Sequence, residues 1–212
     1  MLEELLLFFE IIGTVAFAVS GAMVGLSKKM DIFGVVTLGT ITAVGGGVIR
    51  DLILGNTPPA TFQNPVYAVF AIVTSVIVFF PAVRRFLFKN QKAYDKILLI
   101  MDSIGLGIFT AVGIETAYLM DHRNVFLLVF VGMITGIGGG VIRDALAGNT
   151  PYIFVKHFYA TASLIGALAC IVLWRFFNSA AAIYCGAAVV IILRLLAAKY
   201  RWSLPKSDID MK

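Results

Sequence analysis

The heptapeptide Gly45-Gly46-Gly47-Val48-Ile49-Arg50-Asp51 occurs a second time, letter for letter, as Gly138-Gly139-Gly140-Val141-Ile142-Arg143-Asp144. The two copies lie 93 residues apart, and each is followed at the same distance by a Gly-Asn-Thr-Pro turn, at 55–58 and 148–151. Agreement over this length indicates an internal duplication. The duplication fixes the register in which the two halves of the chain can be compared.

The sequence around both copies is strongly apolar. The 212-residue chain is 60% hydrophobic and 14% charged, and its mean hydropathy is +0.95. Soluble domains carry roughly 25% charged residues, so this composition excludes a water-soluble fold and indicates an all-α integral membrane protein. Because a span takes about 20 apolar residues, seven spans leave short loops and no room for a separate soluble domain.

Apolar runs bounded by charges or turn residues predict seven transmembrane helices. Each Gly-Asn-Thr-Pro turn is a strong helix stop, because glycine tolerates left-handed backbone angles and proline cannot continue a helix. The start Met1-Leu2-Glu3-Glu4 is acidic, unlike a secretory signal, so we expect the first apolar stretch to be retained as a span. The predicted spans are 5–26, 32–54, 64–83, 96–119, 124–147, 153–174 and 179–198.

The duplication divides these spans into two three-helix repeats. The first covers 1–88 and the second 93–175, and both lie in a single membrane domain, 1–212, with a seventh helix at 179–198 and a cytoplasmic tail at 199–212. Because three is an odd number, the second repeat must enter the membrane from the opposite side. The predicted fold is therefore two inverted three-helix repeats plus one C-terminal helix.

The lysines and arginines predict the orientation of the chain. With the N-terminus outside, thirteen of these cations fall inside and only Arg123 and Arg175 fall outside. Such a bias marks the cytoplasmic face and requires an odd number of spans. It also accounts for the net charge of +5, so we expect no nucleic-acid partner and no soluble partner. The inside cations are Lys28, Lys29, Arg84, Arg85, Lys89, Lys92, Lys96, Lys156, Arg194, Lys199, Arg201, Lys206 and Lys212.

The triple glycines lie inside predicted helices, where each glycine costs roughly 1 kcal/mol relative to alanine. One interpretation is that the helices are broken at Gly45, Gly46 and Gly47 and again at 138–140, exposing carbonyl and N–H groups for a permeation or binding site. The other is close helix packing, which small residues also allow. The first is favoured, because in both copies the triple glycine stands just before a charged pair, with two residues between them.

Charged residues within the spans are candidate functional residues, because stranding a charge in hydrocarbon is costly. Neighbours on a helix do not face each other, so we do not expect either arginine to pair with the aspartate that follows it. Glu10 and Asp102 are equivalent in the two repeats, 92 residues apart, and we predict the pairs Glu10 with Arg50 and Asp102 with Arg143. A structural ion pair that locks the repeats together is the alternative role. The six candidates are Glu10, Arg50, Asp51, Asp102, Arg143 and Asp144.

Other reactive side chains are isolated. His122 and His157 are predicted on opposite sides of the membrane, so they form no metal site. Cys170 and Cys185 lie in apolar segments without metal-ligand spacing, and we expect two small buried side chains and no disulfide. Glu115 has no acidic counterpart in the first repeat, and we expect it to reach the outer surface. We predict no catalytic residue, no metal and no enzymatic activity.

The duplicated motif, the seven predicted spans and the inverted triplets resemble the trimeric intracellular cation channel family, in its prokaryotic branch, whose repeated domain is also called a glycine-transporter domain. The resemblance extends to residues 13–22 (GTVAFAVSGA) and 31–35 (DIFGV). It implies a homotrimer in which each protomer has its own pore for monovalent cations, chiefly potassium. It also implies that the glycine motifs kink the second and fifth spans to form that pore, with Arg50 and Arg143 as pore-adjacent charges.

The expected function is therefore a potassium channel of the bacterial inner membrane, with membrane lipids as its surroundings and no cofactor besides the permeant cation. If Glu10 and Asp102 neutralise the arginines, carbonyls at the glycine breaks would coordinate cations with weak discrimination. The alternative is a secondary transporter for glycine or another small amino acid, because inverted repeats with broken helices also form carriers. No feature of the sequence separates these two functions.

Overall fold

In the computed structural model, which describes residues 2–155 and 158–202, the chain folds into packed α-helices. Five of the helices, α1, α2, α6, α7 and α10, are long and apolar enough to cross a membrane, and the bent pair α4–α5 makes a sixth candidate. The described residues form α1 (Leu2–Ser27), α2 (Ile32–Leu54), α3 (Ala60–Gln63), α4 (Val66–Phe79), α5 (Pro81–Leu87), α6 (Gln91–Leu119), α7 (Val125–Leu146), α8 (Tyr152–Val155), α9 (Tyr159–Trp174) and α10 (Ser179–Lys199).

The ends of α2 and α7 follow the signals in the sequence. The Asp31 carboxylate accepts the N–H of Gly34 at 2.7 Å and caps the start of α2. Gly55 ends α2 with φ of 74°, and Gly148 follows α7 with φ of 66°. Both values lie in the left-handed region that favours glycine, so the two predicted helix stops are confirmed.

Two predicted spans differ from the structure. The third, 64–83, is wrong at its end, because α4 stops at Phe79 and the chain turns by 79° into α5. Pro81 begins α5 and disfavours a helical conformation in the residue before it, which explains the turn. The sixth, 153–174, is divided between α8 and α9, and Phe158, just before α9, has φ of 55°. Residues 156–157, within this division, lie outside the described residues.

The helices pack as two groups of three with one helix added. Helices α1, α2 and α4 contact one another, and so do α6, α7 and α9. The groups meet where α1 packs on α6 and α2 packs on α7, while α10 packs against α6 and α9. Phe17 and Phe109, 92 residues apart, pack against each other between the groups, with ring centroids 5.4 Å apart and ring planes tilted by 34°.

The α2–α7 contact is made by the glycine motifs. A Cβ at Gly46 would overlap the carbonyl oxygen of Thr135, and a Cβ at Gly139 would overlap the carbonyl oxygen of Thr42. Both helices run without interruption through their glycines. The predicted helix breaks at 45–47 and 138–140 are therefore wrong. Helix–helix packing explains the glycines, since only a residue without a side chain lets the two backbones approach this closely.

Candidate functional site

A cluster of charged side chains lies near the end of α2, and we call Glu10, Arg50, Asp51 and Tyr67 the first cluster. Arg50 Nε donates to Asp51 Oδ1 at 2.8 Å, and Arg50 Nη1 lies 3.9 Å from Glu10 Oε1. The Tyr67 hydroxyl donates to the other carboxylate oxygen of Glu10. Asp51 Oδ2 also accepts the N–H of Ala60 at 2.8 Å, which ties the turn after α2 to the cluster.

Equivalent residues form a second cluster near the end of α7, composed of Asp102, Arg143, Asp144, Tyr159 and Arg194. Arg143 Nε donates to Asp144 Oδ1 at 2.8 Å, and Arg143 Nη1 donates to Asp102 Oδ1 at 2.6 Å. Arg194, from α10, places Nη2 3.9 Å from Asp102 Oδ2 and its guanidinium 4.6 Å from the Tyr159 ring centroid. The second cluster thus repeats the arginine–acid pairs of the first and adds an arginine, but the Tyr159 hydroxyl has no hydrogen-bond partner among the described residues, whereas the Tyr67 hydroxyl donates to Glu10.

Side chains from the neighbouring segments complete the second cluster. Arg143 Nη1 also donates to the hydroxyl of Ser20, on α1. The N–H of Tyr152 donates to Asp144 Oδ2 at 3.0 Å, as the N–H of Ala60 does to Asp51 in the first cluster. The Arg143 guanidinium lies 5.0 Å from the Tyr152 ring centroid. The second cluster therefore connects α1, α6, α7, α8, α9 and α10.

The predicted pairs, Glu10 with Arg50 and Asp102 with Arg143, are confirmed. The expectation that neither arginine pairs with the aspartate after it is wrong, because both do so through Nε at 2.8 Å. The spacing rule applies to side chains that extend away from the helix. An arginine is long enough to fold back onto its neighbour, and each aspartate is held in reach by the backbone N–H that its second oxygen accepts.

The two clusters differ in their access to water. The side chains of Arg50 and Glu10 are 8% and 20% exposed, whereas those of Arg143 and Asp102 are both 0% exposed. A cavity of about 400 Å³ lies beside the first cluster, between α1, α2 and α6. Its wall is formed by Leu6, Glu10, Thr14, Ala43, Val44, Gly47, Arg50, Asn56, Ala60, Thr61, Tyr67, Phe109, Val112, Glu115, Thr116, Leu119 and Met120.

The third glycine of each motif faces a cluster. A Cβ at Gly47 would come within 3.8 Å of Arg50 Nη2 at the cavity wall, and a Cβ at Gly140 would lie 2.8 Å from the Tyr159 hydroxyl. The first glycines pack differently, with Gly45 against Ile142 and Gly138 against Ile49. Within each motif, therefore, the third glycine borders the charged residues and the others make helix contacts.

Sequence reasoning missed three residues of these clusters. Arg194 was counted among the cations of the inner loops, which is wrong, because it is buried beside Asp102. Its position within an apolar span was a signal that it has a buried partner. Tyr67 and Tyr159 recur at an offset of 92, the same offset that separates Glu10 from Asp102, and neither was among the predicted site residues. Their recurrence beside the recurring acids was the available signal.

Several isolated residues also differ from expectation. Glu115 does not reach the surface; it is 1% exposed and lies at the cavity wall. Cys170 is buried as predicted, but Cys185 is exposed, and both are free thiols. His122 lies in the loop before α7, while His157 falls outside the described residues. Across residues 2–155 and 158–202, no three His, Cys, Asp or Glu side chains are grouped to hold a metal ion.

Comparison with known proteins gives consistent matches over nearly the whole chain. The glycine transporter family model matches residues 7–82 and 99–175, one segment in each half. The UPF0126 inner membrane protein YadS of Escherichia coli is 34% identical over 209 residues, which cover 97% of this chain and 98% of YadS.

Solved structures agree with the sequence matches. A TRIC cation channel structure superposes with a TM-score of 0.85 at 39% identity, covering 97% of this chain and 98% of that chain. The TRIC trimeric intracellular cation channel orthologue from Rhodobacter sphaeroides superposes with a TM-score of 0.84 at 34% identity, covering 92% and 98%. These neighbours are channels and not enzymes, in agreement with the prediction of no enzymatic activity. The chain is a multi-pass membrane protein and belongs to the prokaryotic branch of the trimeric intracellular cation channel family.

Proposed function

We propose that the chain is a cation channel of the bacterial inner membrane and that its permeation path begins in the cavity beside the first cluster. One observation carries this proposal: the partly exposed carboxylate of Glu10 lies at the cavity wall, and Arg50 is the one cation among the lining residues. The charge of Arg50 is offset by Asp51 at 2.8 Å, so the cavity has an excess of negative charge. A cleft lined by one sign of charge raises the local concentration of the opposite ion.

The path continues along α2 toward the second cluster. The cavity extends from Arg50 past Gly47 to Ala43, close to the contact between α2 and α7. Beyond that contact, the buried second cluster closes the route, because the side chains of Arg143 and Asp102 have no exposed surface. The structure thus represents a closed conformation in this proposal, and conduction requires the second cluster to separate.

Potassium is the principal permeant ion in this proposal, with weak discrimination among monovalent cations. The chain has no TVGYG-like filter of backbone carbonyls, and the uninterrupted helices exclude coordination by carbonyls freed at glycine breaks. Carboxylates therefore select for positive charge rather than for ion size. The active form is a homotrimer with one pore per protomer, by analogy with the trimeric neighbours, and it is surrounded by membrane lipids.

The proposed topology has seven spans in one membrane domain, with the N-terminus outside and the C-terminus cytoplasmic. Repeats 1–88 and 93–175 are inverted, α4 and α9 supply the third and sixth spans, and 179–198 supplies the seventh. The reciprocal contacts of Gly46 and Gly139 with the opposite helix support a two-fold relation between the repeats. Without the buried Arg194, twelve cations still lie inside against two outside; Lys156 and the tail residues 203–212 lie outside the described residues.

Planar-bilayer recording in asymmetric potassium chloride tests the channel. The wild-type protein should give discrete current steps that reverse toward the potassium equilibrium potential. Gly47→Val should reduce the step size, because the new side chain enters the cavity, where its Cβ meets Arg50 Nη2 at 3.8 Å. Asp121→Asn, at a side chain that is 88% exposed and does not line the cavity, is the control and should conduct normally. Saturable glycine uptake without current steps would instead support a carrier.

A further inference from the structure

A cavity with two arginines lies where the chain turns by 79° from α4 into α5. Its volume is about 360 Å³, and its wall is formed by Leu26, Arg84, Arg85 and Phe88. Both arginines are exposed, and none of the ion pairs within residues 2–155 and 158–202 includes either of them. The cavity therefore presents two accessible positive charges.

Helix α5 holds these arginines in place. Val83 and Leu87, four residues apart, lie on one face of the helix and pack into the apolar core, where Leu87 is 6% exposed. Arg84 and Phe88 are also four residues apart and lie side by side at the cavity. The Phe88 ring contacts the Tyr94 ring, with centroids 5.0 Å apart. The anchored apolar face thus fixes the basic face that lines the cavity.

The cavity lies at the level where two helices reach the membrane surface. Helix α1 ends at Ser27, one residue after Leu26, and α4 ends just before α5. A helix at 79° to a membrane-crossing helix runs along the surface of the bilayer. The rings of Phe80 and Phe86, beside the arginines, are 58% and 69% exposed. Apolar side chains next to cations are typical of helices that lie between the acyl chains and the headgroups.

The chain on both sides of the cavity is strongly basic. Segments 26–31 and 80–96 contain seven lysines and arginines but only two acids. Both acids already accept hydrogen bonds, because Asp31 caps α2 and Asp95 accepts from the Gln91 amide at 3.0 Å. Cations clustered next to a span attract anionic lipids, and basic pockets at the cytoplasmic ends of spans bind their headgroups. The local charge therefore favours an anionic partner.

From this arrangement, we infer that the cavity binds the headgroup of an anionic phospholipid of the cytoplasmic leaflet, with Arg84 and Arg85 on its phosphate. A guanidinium donates parallel N–H bonds to two phosphate oxygens, which a single ammonium group does not. Leu26 and Phe88 offer apolar surface to the start of the acyl chains. A free phosphate ion gains only the first of these contacts. Binding does not require the channel to conduct, and only the choice of leaflet rests on the proposed topology.

Thermal unfolding of the purified protein in neutral detergent tests the inference, with dioleoylphosphatidylglycerol and dioleoylphosphatidylcholine as probes at constant ionic strength. A lipid that binds the folded state raises the unfolding temperature as its mole fraction rises. Phosphatidylglycerol should act at a lower mole fraction than phosphatidylcholine, which has no net charge. Inorganic phosphate and glycerol 1-phosphate, which lack acyl chains, should have little effect.

Substitutions of the two arginines test the site itself. Arg84→Gln and Arg85→Gln should each weaken the apparent affinity for phosphatidylglycerol about fivefold, and the double variant about 25-fold. Arg84→Lys keeps the charge but loses the paired donors, so its affinity should lie between those of the wild type and Arg84→Gln. Arg175→Gln is the matched control: this exposed arginine follows α9, outside the cavity, and the affinity should not change.

Three outcomes would overturn the inference. Equal stabilisation by phosphatidylglycerol and phosphatidylcholine would exclude a site that selects an anionic lipid. The same loss of affinity in Arg175→Gln as in the cavity variants would show that the lipid responds only to net charge. Stabilisation by inorganic phosphate or glycerol 1-phosphate equal to that by the lipid would indicate a site for free anions. Each variant is compared with its own lipid-free unfolding temperature, so the result holds whether or not the bilayer recordings detect a channel.

Discussion

The first and second clusters are built from one duplicated motif but have opposite access to water. In both, an arginine pairs with the next aspartate and with an acid from the first helix of the repeat. A cavity of about 400 Å³ borders the first cluster, whereas Asp102 and Arg143 in the second are fully buried. The comparison teaches that the duplicated unit, through its motif and the acid of its first helix, specifies the ion pairs, while the segments around them specify whether an ion can approach.

Two structural differences account for this contrast. Ala60 and Tyr152 occupy equivalent places, since the N–H of each donates to the aspartate of its cluster. Alanine leaves space beside Arg50, whereas the tyrosine ring lies against Arg143. Helix α10 packs on α6 and α9 and brings Arg194 to Asp102. Among residues 2–155 and 158–202, no additional helix covers the group α1, α2 and α4 in the way that α10 covers α6 and α9.

Removing the acid that pairs with the arginine, Glu10 or Asp102, should give the largest difference between the clusters in the free energy of unfolding. Asp102→Ala leaves Arg143 buried without its main partner and should lower the free energy of unfolding by about 3–5 kcal/mol. Glu10→Ala should cost about 1 kcal/mol, because water in the cavity can solvate Arg50. Denaturant titration of both variants in detergent measures the difference. Equal losses would contradict the view that burial separates the clusters.

Adding one methyl group to a glycine of each motif should distinguish a glycine that packs two helices together from a glycine that borders the cavity. Gly139→Ala places a Cβ against the carbonyl oxygen of Thr42 and should destabilise the protein by about 1–3 kcal/mol. Gly47→Ala meets only open cavity beside Arg50 and should preserve or slightly raise stability, since alanine favours a helix. Thermal unfolding of the two variants provides the measurement. A stable Gly139→Ala protein would show that α2 and α7 can separate without penalty.

Exchanging the large and small side chains at the equivalent positions Ala60 and Tyr152 should have the smallest effect on stability but a clear effect on conduction. Tyr152→Ala removes the ring stacked on Arg143, which weakens closure by about 1 kcal/mol and should raise the open probability roughly fivefold. Ala60→Tyr should fill the cavity and reduce the current. Single-channel recording distinguishes the two variants by open probability and current. An unchanged open probability in Tyr152→Ala would contradict the proposal that the second cluster closes the pore.

The sequence predicted the pairs Glu10–Arg50 and Asp102–Arg143 correctly because a duplication carries three-dimensional information. Equivalent acids and equivalent arginines in two copies of one fold must occupy equivalent places, so the pairing could be inferred without coordinates. Glu115 and Arg194 have no such equivalents. Their burial depends on neighbouring helices, which local periodicity does not describe: Glu115 was expected at the outer surface and Arg194 among the cytoplasmic cations, and both are buried.

By itself, the sequence determined that the chain is an all-α membrane protein with a duplicated unit and with helix stops at Gly55 and Gly148, because composition and backbone preferences act locally. The tertiary structure alone decided that the glycine motifs join two unbroken helices and that one cluster is open and the other closed. The physical reason is that a glycine or a charge within an apolar helix has several possible environments. Which of them occurs depends on the helix that packs against it.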